Sequence, residues 1–198
     1  MREATCCETR DRRIPTFLTD NFLRRLISPP KKRLSKFISA GAAVADVGCG
    51  PGHFTIPIAE LVGPEGKVYA ADSDPKSIQV LKSKAEGRGL QRIIQAETAS
   101  AANLEFIPDA SVDFVFAIDV LCCMMEHAGA VTEIKRILKP HGLAYISITK
   151  SSRKMDPMAV TKEEWKQILE DFTVRENGEG YTKRWAIVSL KDRPSPEH

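Results

Sequence analysis

Val44-Ala45-Asp46-Val47-Gly48-Cys49-Gly50-Pro51-Gly52-His53-Phe54-Thr55 is the stretch that decides the fold. Residues 44–47 form a short apolar run of the kind buried in a sheet. Three glycines at alternate positions follow, and from about Phe54 the pattern turns helical. Glycine reaches positive φ readily and leaves no Cβ between the backbone and a ligand. A helix beginning here aims its free N–H groups and its positive dipole end back at the loop. Strand, bare loop and helix together make a seat for a small ligand with a polar or anionic head.

The glycine spacing narrows the choice of ligand. A dinucleotide fingerprint reads G-x-G-x-x-G, whereas here Pro51 lies inside the turn and His53 stands where the third glycine would fall. A P-loop would continue into Lys-Ser or Lys-Thr, and neither pair follows this loop. The run D-V-G-C-G-P-G, residues 46–52, resembles motif I of the class I S-adenosylmethionine-dependent methyltransferases. The resemblance implies that Gly48, Cys49, Gly50 and Gly52 pack against the methionine end of S-adenosylmethionine, with Asp46 bracing the loop and Cys49 structural. The alternative is a glycine-rich turn that holds no ligand.

Outward from the loop, residues 54–61 read as a crossover helix and the Gly63-Pro64-Glu65-Gly66 run as a turn. A second strand over 67–71 ends at Asp72, which lies 24 residues past Gly48. In a doubly wound sheet, ligands bind at the carboxyl ends of the strands. A carboxylate there can accept hydrogen bonds from both hydroxyls of a ribose, so Asp72, with Ser73 beside it, is a candidate for the sugar of a nucleoside cofactor. Its competing role is a helix cap, although Asp74-Pro75 suits the start of the next helix, over 76–87, better.

A third strand begins at Ile93-Ile94 and leads into Ala96-Glu97-Thr98-Ala99-Ser100-Ala101-Ala102. The resembling family commonly places an Asp in this region to hold the adenine amino group. This chain lacks it, and Ser100 (or Thr98) takes its place, with the backbone of Ala101 beside it. Residues 112–118 make a nearly continuous apolar strand, as a sheet centre requires. Ala117 near its end is a further cofactor-binding candidate, and Asp119-Val120-Leu121-Cys122-Cys123 follows. A helix with Val131, Ile134, Ile137 and Leu138 on one face closes at Lys139-Pro140-His141-Gly142, before a fifth strand over 143–148. The run E-I-K-R-I-L-K-P-H-G resembles the family's segment before strand five, and the whole resemblance covers residues 30–150.

The ends complete the layout. Residues 1–15 read as a flexible basic tail, and 16–198 as a single domain. Within it, residues 16–39 carry two N-terminal helices, with Phe17, Leu18, Phe22, Leu23 and Leu26 and then Leu34, Phe37 and Ile38 at helical spacing. They form a lid over the site or cover a sheet edge. Near the C-terminus, Thr161 and Glu164 form a capping box. Strands over 172–176 and 181–190 are joined by Asn177-Gly178-Glu179-Gly180, a hairpin sequence. The expected fold is therefore α/β: a doubly wound, Rossmann-like, seven-stranded and mostly parallel sheet with a C-terminal antiparallel hairpin and helices on both faces.

The 198 residues carry a net charge of +3, and residues 1–40 hold ten Lys/Arg against four Asp/Glu. Such a leader attracts anionic partners or is simply a solvated face. No apolar run reaches membrane-spanning length and no signal-peptide pattern opens the chain. The odd number of cysteines, Cys6, Cys7, Cys49, Cys122 and Cys123, and the adjacency of two pairs point to reduced thiols and a cytoplasmic protein.

Methyl transfer from a sulfonium needs binding, orientation and exclusion of water more than a fixed base. A clear cofactor signature beside a vague catalytic one is the expected outcome. The catalytic candidates are Asp119, His127, Cys122 and Cys123, and no metal site is expected. The two thiols are packing residues, ligands of a soft metalloid such as arsenic(III) together with Cys6 and Cys7, or one is methylated or redox active. Neighbours on a strand would point to opposite sides, against a joint ligand. An adenine amino-methyltransferase would carry [DN]-P-P-[YF] where this chain has D-V-L-C-C, so nucleic acid is disfavoured as substrate. The reading is an S-adenosylmethionine-dependent methyltransferase acting on a small molecule, similar to the branch holding ubiquinone/menaquinone and arsenite methyltransferases. The alternatives are a thiol- or metalloid-directed methyltransferase and a non-catalytic cofactor-binding partner protein. Nothing in the sequence fixes an oligomeric state.

Overall fold

The structure, a computed structural model, describes residues 34–151 and 156–191. The basic tail, most of the N-terminal helical segment, and Cys6 and Cys7 lie outside the described residues.

Seven strands form one sheet in the order β3-β2-β1-β4-β5-β7-β6. In chain order they are β1 (Ala43–Val47), β2 (Lys67–Asp72), β3 (Ile94–Thr98), β4 (Val112–Ile118), β5 (Leu138–Thr149), β6 (Thr173–Glu179) and β7 (Lys183–Ser189). The helices are α1 (Thr55–Val62), α2 (Pro75–Glu86), α3 (His127–Ile137) and α4 (Lys162–Glu170). β1 to β5 pair in parallel, and β7 runs antiparallel between β5 and β6. This is the doubly wound sheet with a C-terminal antiparallel hairpin that the sequence pattern called for.

Alternation along the strands divides the core into two layers. Val44, Phe114 and Phe116 pack with Ile56 and Ile58 of α1, Ile78 and Leu81 of α2, and Leu34 and Ile38. Ala45, Val47, Val115 and Ile146 pack with Val131 and Ile134 of α3 and Trp165 and Ile168 of α4. Each large side chain buried this way contributes about 1.5–3 kcal/mol. An aromatic row crosses the first layer: Phe37 meets Phe114 at 5.4 Å between ring centroids, Phe114 meets Phe116 at 4.5 Å, and Tyr145 stacks on Trp185 at 6.0 Å.

The helix starts follow the sequence closely. Asp74 caps α2 by accepting the N–H groups of Lys76 and Ser77, with Pro75 in the first turn. Thr161 caps α4 through the N–H of Glu164 at 3.0 Å. The Glu164 side chain does not complete the capping box; it reaches His127 instead.

Two boundaries differ from the sequence reading. α3 stops at Ile137 and β5 begins at once with Leu138, so Lys139-Pro140-His141-Gly142 lies within the strand. While β4 advances from Val112 to Phe114, β5 advances from Leu138 to Leu143, and the extra residues bulge out of the ladder. Gly142 is needed there, since a Cβ would lie 2.9 Å from the Leu138 side chain and 3.1 Å from the Val112 carbonyl oxygen. In the hairpin, Asn177 and Gly178 lie inside β6 rather than at the turn, which falls at residues 180–182. Gly178 pairs with Trp185, whose indole lies so close that a Cβ at 178 would be 2.7 Å from it. The glycine serves as a platform for the ring.

Ile146 is fully buried on β5 in the middle of the sheet. Ile146→Ala is expected to cost about 2–5 kcal/mol in chemical denaturation, with the ordered secondary structure retained in circular dichroism at low denaturant.

Candidate functional site

Strand order reverses at β1, whose neighbours are β2 on one side and β4 on the other. The loops leaving β1 and β4 therefore part above a crevice at the carboxyl edge.

The first wall is the glycine loop. Its backbone turns through positive φ at Gly48 (71°), Gly50 (52°) and Gly52 (88°). Gly48 and Cys49 both donate to the Ala71 carbonyl oxygen, at 2.8 and 3.0 Å, and Gly50 donates to Asp72 Oδ2 at 2.8 Å. The other Asp72 oxygen accepts the N–H of Asp74 at 2.9 Å, so the carboxylate is fixed from both sides beside half-buried Ser73. The three glycines do different work. A Cβ at Gly48 would lie 2.5 Å from Val120 and one at Gly52 2.6 Å from Leu81, whereas one at Gly50 would meet nothing within 4 Å. Gly48 and Gly52 are close-packing positions. Gly50 is bare backbone facing open space, the cradle a ligand requires.

Asp46 lies beneath this loop, buried, and accepts the Thr55 hydroxyl at 2.6 Å at the start of α1. Burial pushes its carboxyl up to about 7 against the lowering effect of Thr55, and the Asp72 charge raises it further. Asp46 thus ties the end of β1 to the first turn of α1. The Cys49 thiol is also buried, and burial together with the Asp46 and Asp72 charges drives its pKa well upward. That is an inert, structural thiol.

The remaining cofactor candidates flank the crevice. Ser100 opens a turn in which its Oγ accepts the Ala102 N–H at 3.2 Å, and Ala101 is buried behind it. Ala117 on β4 is buried opposite Val47, its side chain in the core beneath the crevice.

The second wall follows β4. Asp119 takes the left-handed conformation at φ 58°, rare outside glycine and tolerated by Asp. Its carboxylate accepts the Thr149 hydroxyl at 3.1 Å and pairs with Lys183 of β7. Beyond it a single 3-10 turn covers Leu121–Cys123. The strand geometry assumed for Cys122 and Cys123 does not hold, and the turn brings the two thiols together. The hydrogen bond from Cys123 pulls the Cys122 thiol down to about 7, against its burial, and the Thr149 backbone adds to the effect. Among the described residues no group of three or more His, Cys, Asp or Glu side chains could hold a metal ion.

His127 is not an exposed base at a helix start. It is buried, with Nδ1 2.6 Å from Glu164 Oε1 and Nε2 2.8 Å from the Met124 carbonyl oxygen. The carbonyl only accepts, so Nε2 carries a proton. Both nitrogens are used in joining the start of α3 to α4.

Lys183 was not visible in the sequence as a site residue. Its position comes from the antiparallel register, in which Lys183 pairs with Thr149 at the carboxyl end of β5. No local motif signals that placement.

Comparisons with known proteins bear on the same region. The profile of the family described as methyltransferase domain matches residues 45–146. The demethylmenaquinone methyltransferase of Geobacillus stearothermophilus is similar, at 35% identity over 106 residues, covering 54% of this chain and 44% of that protein. The ubiquinone/menaquinone biosynthesis C-methyltransferase of Hahella chejuensis is 30% identical over 162 residues, covering 81% of this chain and 64% of the relative. The chain thus spans about half to under two thirds of these relatives' lengths. Among solved structures, a SAM-dependent methyltransferase from Aquifex aeolicus superposes with a TM-score of 0.75 at 26% identity, over 89% of this chain and 97% of its own.

Two outcomes follow from the loop. Gly48→Ala forces a left-handed alanine against the stiff Val120 side chain and is expected to cost roughly 2–4 kcal/mol in denaturant unfolding. Asp46 has a folded pKa above its ordinary value of 3.8, so its contribution to stability is full below that value and is lost as pH rises through about 7. Asp46→Asn should therefore be more stable than wild type at pH 8 by a few kcal/mol (~2–4). The gap should narrow as pH falls through 7, read from thermal unfolding across the range.

Proposed function

This chain belongs to the methyltransferase domain family, and from that premise we propose that it transfers a methyl group from S-adenosylmethionine to a small-molecule acceptor. The observation that carries the proposal is the Gly50 N–H donating to the Asp72 carboxylate while Gly50 itself faces open space. A nucleoside cofactor asks for that pairing of bare backbone with a rigid acceptor at the carboxyl edge.

When bound, the cofactor supplies the electrophilic methyl group and the thioether leaving group. The residues of this chain bind and orient. Gly48, Cys49, Gly50 and Gly52 present backbone toward the methionine portion, with Asp46 holding the loop against α1. Asp72 accepts the ribose hydroxyls through lone pairs left over from its two backbone contacts, with Ser73 alongside. Ser100 and the Ala101 backbone border the adenine, where a single hydroxyl stands in for the family's carboxylate. Ala117, small and buried, leaves room above β4. Asp119, Cys122 and Cys123 border the side on which the acceptor would be held in line with the cofactor's methyl group, and any proton on the acceptor atom would leave to solvent. His127 and Cys49 are assigned structural parts.

The acceptor is a small molecule, as the names of the quinone-pathway relatives state for theirs. Among the described residues Cys49, Cys122 and Cys123 form no disulfide, which suits a reducing compartment, and we place the protein in the cytoplasm. No helix among the described residues is long and apolar enough to cross a membrane.

Titration calorimetry tests the reading. Wild type should bind S-adenosylmethionine and S-adenosylhomocysteine, Asp72→Ala should weaken both by about tenfold or more, and Gly50→Arg should abolish binding by filling the cradle. A wild type that binds neither would overturn the proposal. Labelled cofactor incubated with a metabolite extract then identifies the acceptor, and the absence of any labelled product would favour a non-catalytic partner role.

A further inference from the structure

We propose that Lys183 is the acceptor-selecting residue of this site: its ammonium, held in place by Asp119, receives an anionic oxygen of the acceptor, of the phenolate or enolate class. The inference rests on the methyltransferase reading and extends it from the cofactor to the acceptor.

Four observations carry it. The first is position. Val120 packs against Gly48 so closely that a Cβ there would lie 2.5 Å from it, so Asp119 immediately adjoins the cofactor loop. Lys183, paired with Asp119, stands on the acceptor side of that loop.

The second is valence. An ammonium carries three N–H donors. The Asp119 contact uses one, and the Lys183 side chain keeps 44% of its surface exposed, so the head remains accessible to a second acceptor. Asp119 in turn is satisfied on its other oxygen by Thr149 at 3.1 Å, which leaves it a holder of the lysine rather than an independent anion.

The third is net charge. Along this edge Glu179 is shared by Lys150 at 3.1 Å and Arg184 at 3.2 Å, and Asp119 by Lys183. These three cations face two carboxylates. This cluster taken alone is net positive by one charge, in contrast to the opposite side of the crevice, where the Asp72 carboxylate lies.

The fourth is the aromatic pair beside Lys183. Trp185 lies two residues along β7 from Lys183, on the same face of the sheet, and stacks with Tyr145 of β5 at an interplanar angle of 14°. A planar oxyanion matches an aromatic wall ending in a cation.

The test uses the full chain saturated with S-adenosylhomocysteine and 4-nitrophenol as probe, whose phenol and phenolate differ in colour. In wild type the bound probe should ionise more readily, its apparent pKa falling by about one unit. Lys183→Arg should retain that shift. Lys183→Gln should lose it and bind the phenolate about tenfold more weakly. The double variant Asp119→Asn/Lys183→Gln separates a direct contact from simple masking of Asp119, and the shift should remain lost. Recovery of the shift in the double variant, retention of it in Lys183→Gln, or a wild type that binds no phenolate would each overturn the role given to Lys183. Calorimetry of S-adenosylhomocysteine on the same samples keeps the two readings apart. A wild type that fails to bind it sinks the methyltransferase assignment and this inference with it, whereas one that binds it without favouring phenolate sinks this inference alone.

Discussion

The 2.8 Å hydrogen bond from the Gly50 N–H to Asp72 is the contact on which the rest of the site depends. A loop with three residues at positive φ has little conformational stability of its own. It is held because β2 runs beside β1 and ends on a carbonyl, Ala71, and a carboxylate, Asp72, that capture successive loop N–H groups. Parallel pairing of two short strands thus fixes a loop that neither strand contains. The same arrangement sets two carboxylates, Asp46 and Asp72, near one another, and their mutual repulsion adds to the burial that raises Asp46. A cationic sulfonium suits such a neighbourhood.

The two sides of the crevice are built in different ways. The cofactor side comes from contiguous chain: strand, loop, helix, then the next strand end. The side proposed for the acceptor is assembled from β4, β5 and β7, with Asp119, Thr149 and Lys183 meeting across 64 residues of sequence. Parallel strands put all their carboxyl ends on one edge, and an antiparallel β7 brings its beginning, rather than its end, to that edge. The hairpin that closes the sheet therefore also brings Lys183 to the carboxyl edge beside Asp119.

Where sequence reasoning and structure part, a tertiary contact has overridden a local signal. Asn177-Gly178 has the chemistry of a hairpin turn, but Gly178 is taken into β6 to accommodate the Trp185 ring. Lys139-Pro140-His141-Gly142 reads as a helix stop, yet it forms a bulge inside a continuing strand. His127 has the residue type of a catalytic base and is consumed by Glu164 and the Met124 carbonyl. Cys122 and Cys123 would diverge on a strand, and a 3-10 turn reunites them.

Local sequence was enough to set the sheet, the glycine loop, Asp72 as the end of β2, and Asp74 and Thr161 as caps. Each is written in residues a few positions apart, where φ preference, side-chain period and capping chemistry act directly. Packing in three dimensions settled which of the three glycines faces open space, that Asp46 is a buried carboxyl against Thr55, and that Lys183 stands beside Asp119. Those outcomes depend on strand register and on what packs against what, and distances through space between remote segments leave no mark on the local pattern.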